Sequence, residues 1–238
     1  TSKIALQNTM KKVTLSLLAL ALSSSLSFAQ RTKIAITTEY GRIVMELYDE
    51  TPKHRDNMVK LTNEHFFDST LFHRVIPNFV IQGGDPTSKT AAPGAMLGSG
   101  ETGYRVDAEI NDSAYHKYGA LGMARDGNPQ KASSGCQFYI VTGKKYSEEE
   151  LVGMEQRMGK KLPESHREVY KTKGGTPMLD GGYTVYGEVV EGMDIVEKIS
   201  LEPRDQMDRP NKDIRMLKVE VLDAKKEGKK KKKKKDNE

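Results

Sequence analysis

Residues 72–86 read FHRVIPNFVIQGGDP, and within this strongly apolar stretch stand Arg74 and Gln82. A second apolar run, GCQFYIV at 135–141, carries Gln137 and Tyr139. Long polar side chains in such segments need partners, because a buried donor or acceptor left unsatisfied is costly. Together they offer one guanidinium and two amides beside aromatic and aliphatic surface, with no nucleophile, acid or metal cluster. Such a site suits a ligand with a small apolar ring and an adjacent backbone. The five histidines, at 54, 65, 73, 116 and 166, lack ligand-like spacing, so no metal is expected. GSGETG at 98–103 fits G-x-G-x-x-G, but no helix opens after it, so neither a dinucleotide loop nor any other cofactor is implied.

Taken singly, each residue has a plainer reading. Arg74 reads equally well as an arginine lying over a sheet, its stem packed and its head in water. Gln82 and Gln137 read as solvent-facing positions, and Phe79 and Tyr139 as core. Strand periodicity brings them together. Side chains alternate across a strand, so Gln137 and Tyr139 share one face while Phe138 and Ile140 share the other. The same count sets Arg74 with Phe72, and Gln82 with Val80.

The elements that must hold these residues are mostly strands. Residues 31–50 alternate around a Tyr-Gly turn and predict a β-hairpin. Thr51-Pro52 predicts an N-cap and first helical turn, with a helix through RDNMVKLTNE. Residues 72–86 predict two strands interrupted at Ile76-Pro77-Asn78, since proline cannot donate to a ladder. A Gly-rich loop is expected over 83–103, strands over 135–141, 184–189 and 214–222, and a short helix over 193–199. Residues 147–174 differ in character. Ser147 with Glu150 forms a capping box, Leu151, Met154 and Met158 fall at helical spacing, and a second helix stops at Gly174-Gly175. The whole predicts a mainly β domain, a closed antiparallel barrel or sandwich with two helices and a helical insertion.

Both ends lie outside that domain. Met10-Lys11-Lys12 precedes an apolar run and small residues, with Ser27 and Ala29 at −3 and −1 of a cut before Gln30. That predicts a secretory signal peptide ending at Ala29, with translation starting at Met10 and residues 1–9 as upstream sequence. Residues 225–238 are lysine-rich and expected to stay solvated. They carry +6 and residues 1–29 carry +3 of a formal +5, leaving −4 on residues 30–224. No nucleic-acid groove is therefore expected on the domain, and weak contact of the tail with anionic envelope surfaces is the most it suggests. Cys136 is the only cysteine, so no intrachain disulfide forms.

Three stretches in order, FHRVIPNFVIQGGDP, GMAR…SSGCQFYIVT and PMLDGGYTVYGEVVEGMDIVEKI, resemble the cyclophilin type of peptidyl-prolyl cis-trans isomerase. The likeness runs over residues 37–222. It implies a closed eight-stranded antiparallel barrel capped by two helices, with the site on the outer surface. It also implies a monomer that binds proline-containing polypeptides. By resemblance Arg74 is the catalytic arginine, Phe79 the floor of the proline pocket, and Gln82 and Gln137 substrate-contacting amides. Ala124 is a backbone anchor and Leu179 lines the pocket. Val80 stands where methionine is usual, Tyr139 where phenylalanine is usual, Met178 where tryptophan is frequent, and Tyr183 where histidine is frequent. Arg125 and Asp126 replace an uncharged pair and make the flanking groove more polar. The insertion has no counterpart in minimal members.

The chemistry this implies is rotation about an X-Pro bond, slow because amide resonance raises a barrier of about 18–20 kcal/mol. The expected function is isomerisation during folding of exported proteins, in the periplasm or outside the cell. The alternative is a proline-binding chaperone or scaffold with little turnover.

Overall fold

The computed structural model describes residues 31–222; the expected signal peptide and lysine-rich tail lie outside them. Ten strands form. They are β1 (Lys33–Thr38), β2 (Gly41–Leu47), β3 (Phe72–Ile76), β4 (Val80–Gly83), β5 (Arg105–Val106), β6 (Ala120–Met123), β7 (Ser133–Ser134), β8 (Phe138–Val141), β9 (Val185–Glu191) and β10 (Lys218–Leu222). Eight of them make one antiparallel sheet in the order β10-β1-β2-β9-β6-β8-β4-β3, while β5 and β7 pair separately. Helices α1 (Pro52–Asn63) and α4 (Met193–Ser200) bury Met58, Leu61, Val196 and Ile199 against the apolar face of the sheet. That face carries Ile34, Ile36, Ile43, Met45, Ile81, Phe138 and Ile140, the alternate positions that the strand pattern sets inward.

The sheet curls until its two outer strands meet at a short junction. The segment expected as one strand over 214–222 divides its hydrogen bonds between two neighbours. Residues 218–222 pair with β1 as β10. Just before them, the Phe72 N–H donates to the Ile214 carbonyl at 2.9 Å and the Met216 N–H to Thr70 at 2.8 Å. The outer strands β3 and β10 are thus joined across a short bridge rather than by a ladder.

Two local expectations are corrected. Thr51 precedes α1 but does not cap it. The Glu109 carboxylate accepts from the Lys53 and His54 N–H groups instead, at 3.0 and 2.9 Å, and so meets the orphan donors of the first turn. Phe72 and Arg74 do not share a face either. The β3–β4 register shifts between them, pairing Phe72 with Gly83 and Arg74 with Gln82. His73 is the extra residue of a β-bulge, which sends Phe72 into the core and turns Arg74 outward.

That bulge makes stability depend on pH. His73 is 3 % exposed, and its ring nitrogens have no partner in good hydrogen-bond geometry. Burial pushes its pKa down to about 4, against a weaker opposing pull from Asp85. The folded state therefore holds the neutral ring, and the unfolded chain takes up a proton first as pH falls. This contribution is complete above the unfolded value of about 6.5 and is lost as pH drops toward the folded one. Between pH 7 and pH 5 it amounts to about 2 kcal/mol. Denaturant titrations of wild type and His73→Gln across that range should show a shallower pH slope in the variant. Equal slopes would exclude His73 as a source.

Cys136 is wholly buried in the core, where burial pushes its thiol up to about 11. The insertion forms two helices, α2 (Glu148–Met158), opened by the Ser147–Glu150 capping box, and α3 (Glu164–Thr172). Leu151 and Met154 of α2 and Tyr170 of α3 make a separate small core with Tyr146 and Leu162 beside them, and Tyr115 packs against it.

Candidate active site

The outer face of β4 and β8 carries Val80, Gln82 and Tyr139, and Gln82 lies directly opposite both Arg74 and Tyr139 in the ladders. These side chains, with Phe79, Ala124, Arg125, Leu179 and Tyr183, line a cavity of about 150 Å³. Its walls are Phe79, Val80, Tyr139, Leu179 and Tyr183, and the Arg74 guanidinium stands at its rim. A second cavity of about 200 Å³ adjoins it, sharing Gln82, Ala124 and Arg125 and adding Gln137, Gly98, Glu101 and Tyr104. Met178 is 44 % exposed and lines neither cavity, because the turn Pro177–Leu179 aims Leu179 inward in its place.

The polar residues form one directed chain. The Arg74 guanidinium donates to Gln82 Oε1 at 3.4 Å, and Gln82 Nε2 donates to Gln137 Oε1 at 3.2 Å. Gln137 Nε2 in turn donates to the carbonyls of Gly98 and Gly100, at 3.0 and 2.9 Å. Each amide thus has its oxygen turned toward Arg74 and its nitrogen away from it, which fixes both orientations. On the other side of Arg74, the Asp208 carboxylate lies 3.7 Å from Nε. Asp208 holds a left-handed backbone, φ +62°, while its carbonyl accepts from the Val75 N–H at 2.8 Å. The guanidinium is held between an amide and a carboxylate.

The Gly-rich loop is anchored by Asp85, fully buried after Gly84. Its carboxylate accepts from the Thr87 N–H and hydroxyl at 2.7 and 2.6 Å and from the Gly98 N–H at 2.5 Å. A longer bond of 3.3 Å comes from the Gly100 N–H. Burial raises the pKa of this carboxyl, but these donors outweigh it and hold the group below the usual range. A Cβ on Gly100 would sit 2.0 Å from Asp85 Oδ1, so the loop passes where only glycine fits.

Arg125 does not extend into open groove. Its Nε donates to the Gly182 carbonyl at 2.7 Å, and its guanidinium lies 4.7 Å from the centre of the Tyr183 ring. Asp126 is engaged by Arg105. Tyr139 is 4 % exposed; burial keeps its phenol protonated, and its hydroxyl meets His116 Nε2 at 2.8 Å. The ring lies over Gly122, where a Cβ would come within 2.3 Å of Cζ. With the hydroxyl pinned, the ring cannot swing aside. Gly122→Ala is therefore expected to cost about 1–3 kcal/mol and to weaken peptide binding, checked by denaturation and by titration with an Ala-Pro peptide.

Sequence reasoning missed Asp85, His116, Asp180 and Asp208. His116, Asp180 and Asp208 act through partners distant in the chain, Asp85 joins its near neighbour Thr87 to the loop at Gly98 and Gly100, and none lies at a periodic position that would single it out.

A mainly β sheet thus carries an outward apolar cavity, lined also by an arginine that donates to a glutamine. The family model for cyclophilin type peptidyl-prolyl cis-trans isomerase/CLD matches residues 33–221, and the chain belongs to that family. The peptidyl-prolyl cis-trans isomerase-like 1 protein of Neurospora crassa is 31 % identical over 193 residues, 80 % of this chain and 94 % of its own. A Staphylococcus epidermidis relative bearing an isomerase name is 34 % identical over 190 residues, covering 79 % of this chain and 91 % of that one. A Streptococcus pyogenes relative, whose name couples a phosphatase to such an isomerase, is also 34 % identical, but the match spans only 39 % of its length. Among solved structures, a Cryptosporidium parvum cyclophilin type isomerase superposes with a TM-score of 0.59 at 25 % identity, covering 81 % of this chain and 98 % of the other. A structure of that protein in the presence of the dipeptide Ala-Pro gives a TM-score of 0.57 at 24 % identity. The chain is a peptidyl-prolyl cis-trans isomerase.

Proposed function

We propose that the cavity of Phe79, Val80, Tyr139, Leu179 and Tyr183 takes the proline ring of a polypeptide, and that Arg74 catalyses rotation about the bond preceding it. The observation that carries this reading is the Arg74 guanidinium at the rim of an apolar cavity of about 150 Å³, with Gln82 as its hydrogen-bond partner. As an X-Pro amide twists, resonance is lost and the proline nitrogen becomes pyramidal, with an exposed lone pair. A guanidinium beside it donates to that lone pair, an interaction missing in the planar ground state. Only such differential stabilisation speeds the step. Gln82 and Gln137 hold Arg74 in place, and the Ala124 segment offers backbone to the flanking peptide.

A rate gain of about 10⁵ requires roughly 7 kcal/mol. A charge-assisted hydrogen bond in a half-enclosed cavity, together with anchoring of the ring, is of the right size to provide it. The clients proposed are other exported polypeptides. Support for this comes from the signal-like residues 1–29.

Cis-trans exchange of a short Ala-Pro peptide, followed by NMR with protein lacking residues 1–29, tests the activity. Accelerated exchange is expected. Peptide binding without acceleration would support the chaperone alternative instead. Cell fractionation of the full chain tests export: recovery of a shortened product outside the cytoplasm is expected, and uncleaved cytoplasmic protein would refute it.

A further inference from the structure

The two-helix insertion reaches the proline cavity through a buried chain of side chains that the activity alone does not explain. On α3, Tyr170 is fully buried and its hydroxyl donates to Asp180 Oδ2 at 2.6 Å. The other oxygen of Asp180 accepts from the backbone N–H of His116 at 2.9 Å and meets His116 Nδ1 at 2.8 Å. Since a carboxylate only accepts, this places a proton on Nδ1, while Nε2 meets the Tyr139 hydroxyl at 2.8 Å. His116 is 1 % exposed. Four side chains from separate parts of the sequence therefore connect the insertion to the wall of the cavity.

The surrounding contacts restrict the same region. Asp180 directly follows Leu179, and Tyr183 packs edge-on to both His116 and Tyr139, with ring centres 6.4 and 6.0 Å away. The C-terminal end of the insertion is pinned beside His116: the Tyr118 N–H donates to the Gly174 carbonyl at 2.9 Å, and just beyond it the Thr176 N–H donates to the His116 carbonyl at 2.8 Å. A Cβ at Gly175 would lie 2.3 Å from the His116 carbonyl oxygen and 2.6 Å from the Tyr170 ring, so the approach is as close as backbone allows. Tyr139, Leu179 and Tyr183, three of the five apolar walls of the cavity, are all attached to this network.

We propose that the insertion is a positioning element for the proline cavity, acting from Tyr170 through Asp180 and His116 onto Tyr139. The network also occupies the Tyr139 hydroxyl, so that the wall facing the substrate ring is apolar although it is built from a tyrosine. Tyr170 is a positioning residue and touches no substrate. The inference rests on the assignment of this cavity to proline.

The test compares Tyr170→Phe, Tyr139→Phe and the double variant, in protein lacking residues 1–29, with Tyr146→Phe as a control. Tyr146 lies in the same small core but not on the chain of hydrogen bonds. Exchange of an Ala-Pro peptide gives KM and kcat, and backbone NMR shifts of Leu179 and Tyr183 report on the wall directly. Tyr170→Phe is expected to raise KM about two- to tenfold with a smaller change in kcat, and to shift the Leu179 and Tyr183 signals. The double variant should be no worse than the poorer single one, because both substitutions break one chain. Tyr146→Phe should leave KM and those signals unchanged. Unmoved Leu179 and Tyr183 signals in Tyr170→Phe would overturn the inference, as would single effects that multiply in the double variant. Wild-type protein without exchange activity would refute the isomerase assignment instead, and the NMR shifts would still decide whether the insertion positions the wall.

Discussion

Arg74→Ala is expected to lower kcat/KM on a short X-Pro peptide by about 10²–10³-fold, the usual cost of deleting one donor aimed at developing charge. The loss should fall on kcat. Val80, Phe79, Leu179 and Tyr139 still hold the ring in the planar ground state, whereas the guanidinium contributes chiefly once the amide twists. Arg74→Lys should recover only part of the rate. Lysine keeps the charge but loses the planar fork that serves Gln82, Asp208 and the substrate together. Thermal stability should barely change, since the side chain is 39 % exposed. If the alanine variant kept kcat/KM within about threefold of wild type, catalysis would have to come from cavity binding alone.

Asp85→Ala is the second large effect, and it concerns the frame of the site. The carboxylate accepts two bonds from Thr87 and one each from the N–H groups of Gly98 and Gly100. Hydrogen bonds to a charged group are worth about 1.5–3 kcal/mol each and do not add fully, so a loss of about 3–5 kcal/mol is expected. Urea denaturation near neutral pH measures it. Activity should fall too, because the Gly98 and Gly100 carbonyls hold Gln137, which in turn orients Gln82. Asp85→Asn should do less harm, retaining one acceptor oxygen and losing the charge. A loss below about 1 kcal/mol in the alanine variant would mean that the loop is held by its own backbone.

How far the site could be read in advance depended on the kind of contact involved. Strand periodicity set Gln137 and Tyr139 on one face and Phe138 and Ile140 on the other, and the core contains the latter pair. The same rule failed at Phe72 and Arg74, where one extra residue, His73, reverses the face of all that follows. A bulge has no strong local signature, because it arises from the partner strand and not from the residues within it. The capping box at Ser147 was legible for the opposite reason: both of its partners lie within four residues. Thr51 misled. A distant carboxylate, Glu109, took the role its own hydroxyl was expected to fill.

The family, the strand-rich architecture and the group of residues around Arg74 were determined by the sequence alone, through short stretches in which residue type and spacing are both constrained. Tertiary structure decided which carboxylate faces Arg74, which loop carbonyls orient Gln137, and that Leu179 rather than Met178 enters the cavity. It also decided that the insertion meets the cavity wall through Tyr170, Asp180 and His116. The physical reason is range. Alternation and capping are settled within a few residues, whereas buried hydrogen-bonding groups take whichever partner the packed fold brings within about 3 Å, regardless of separation along the chain.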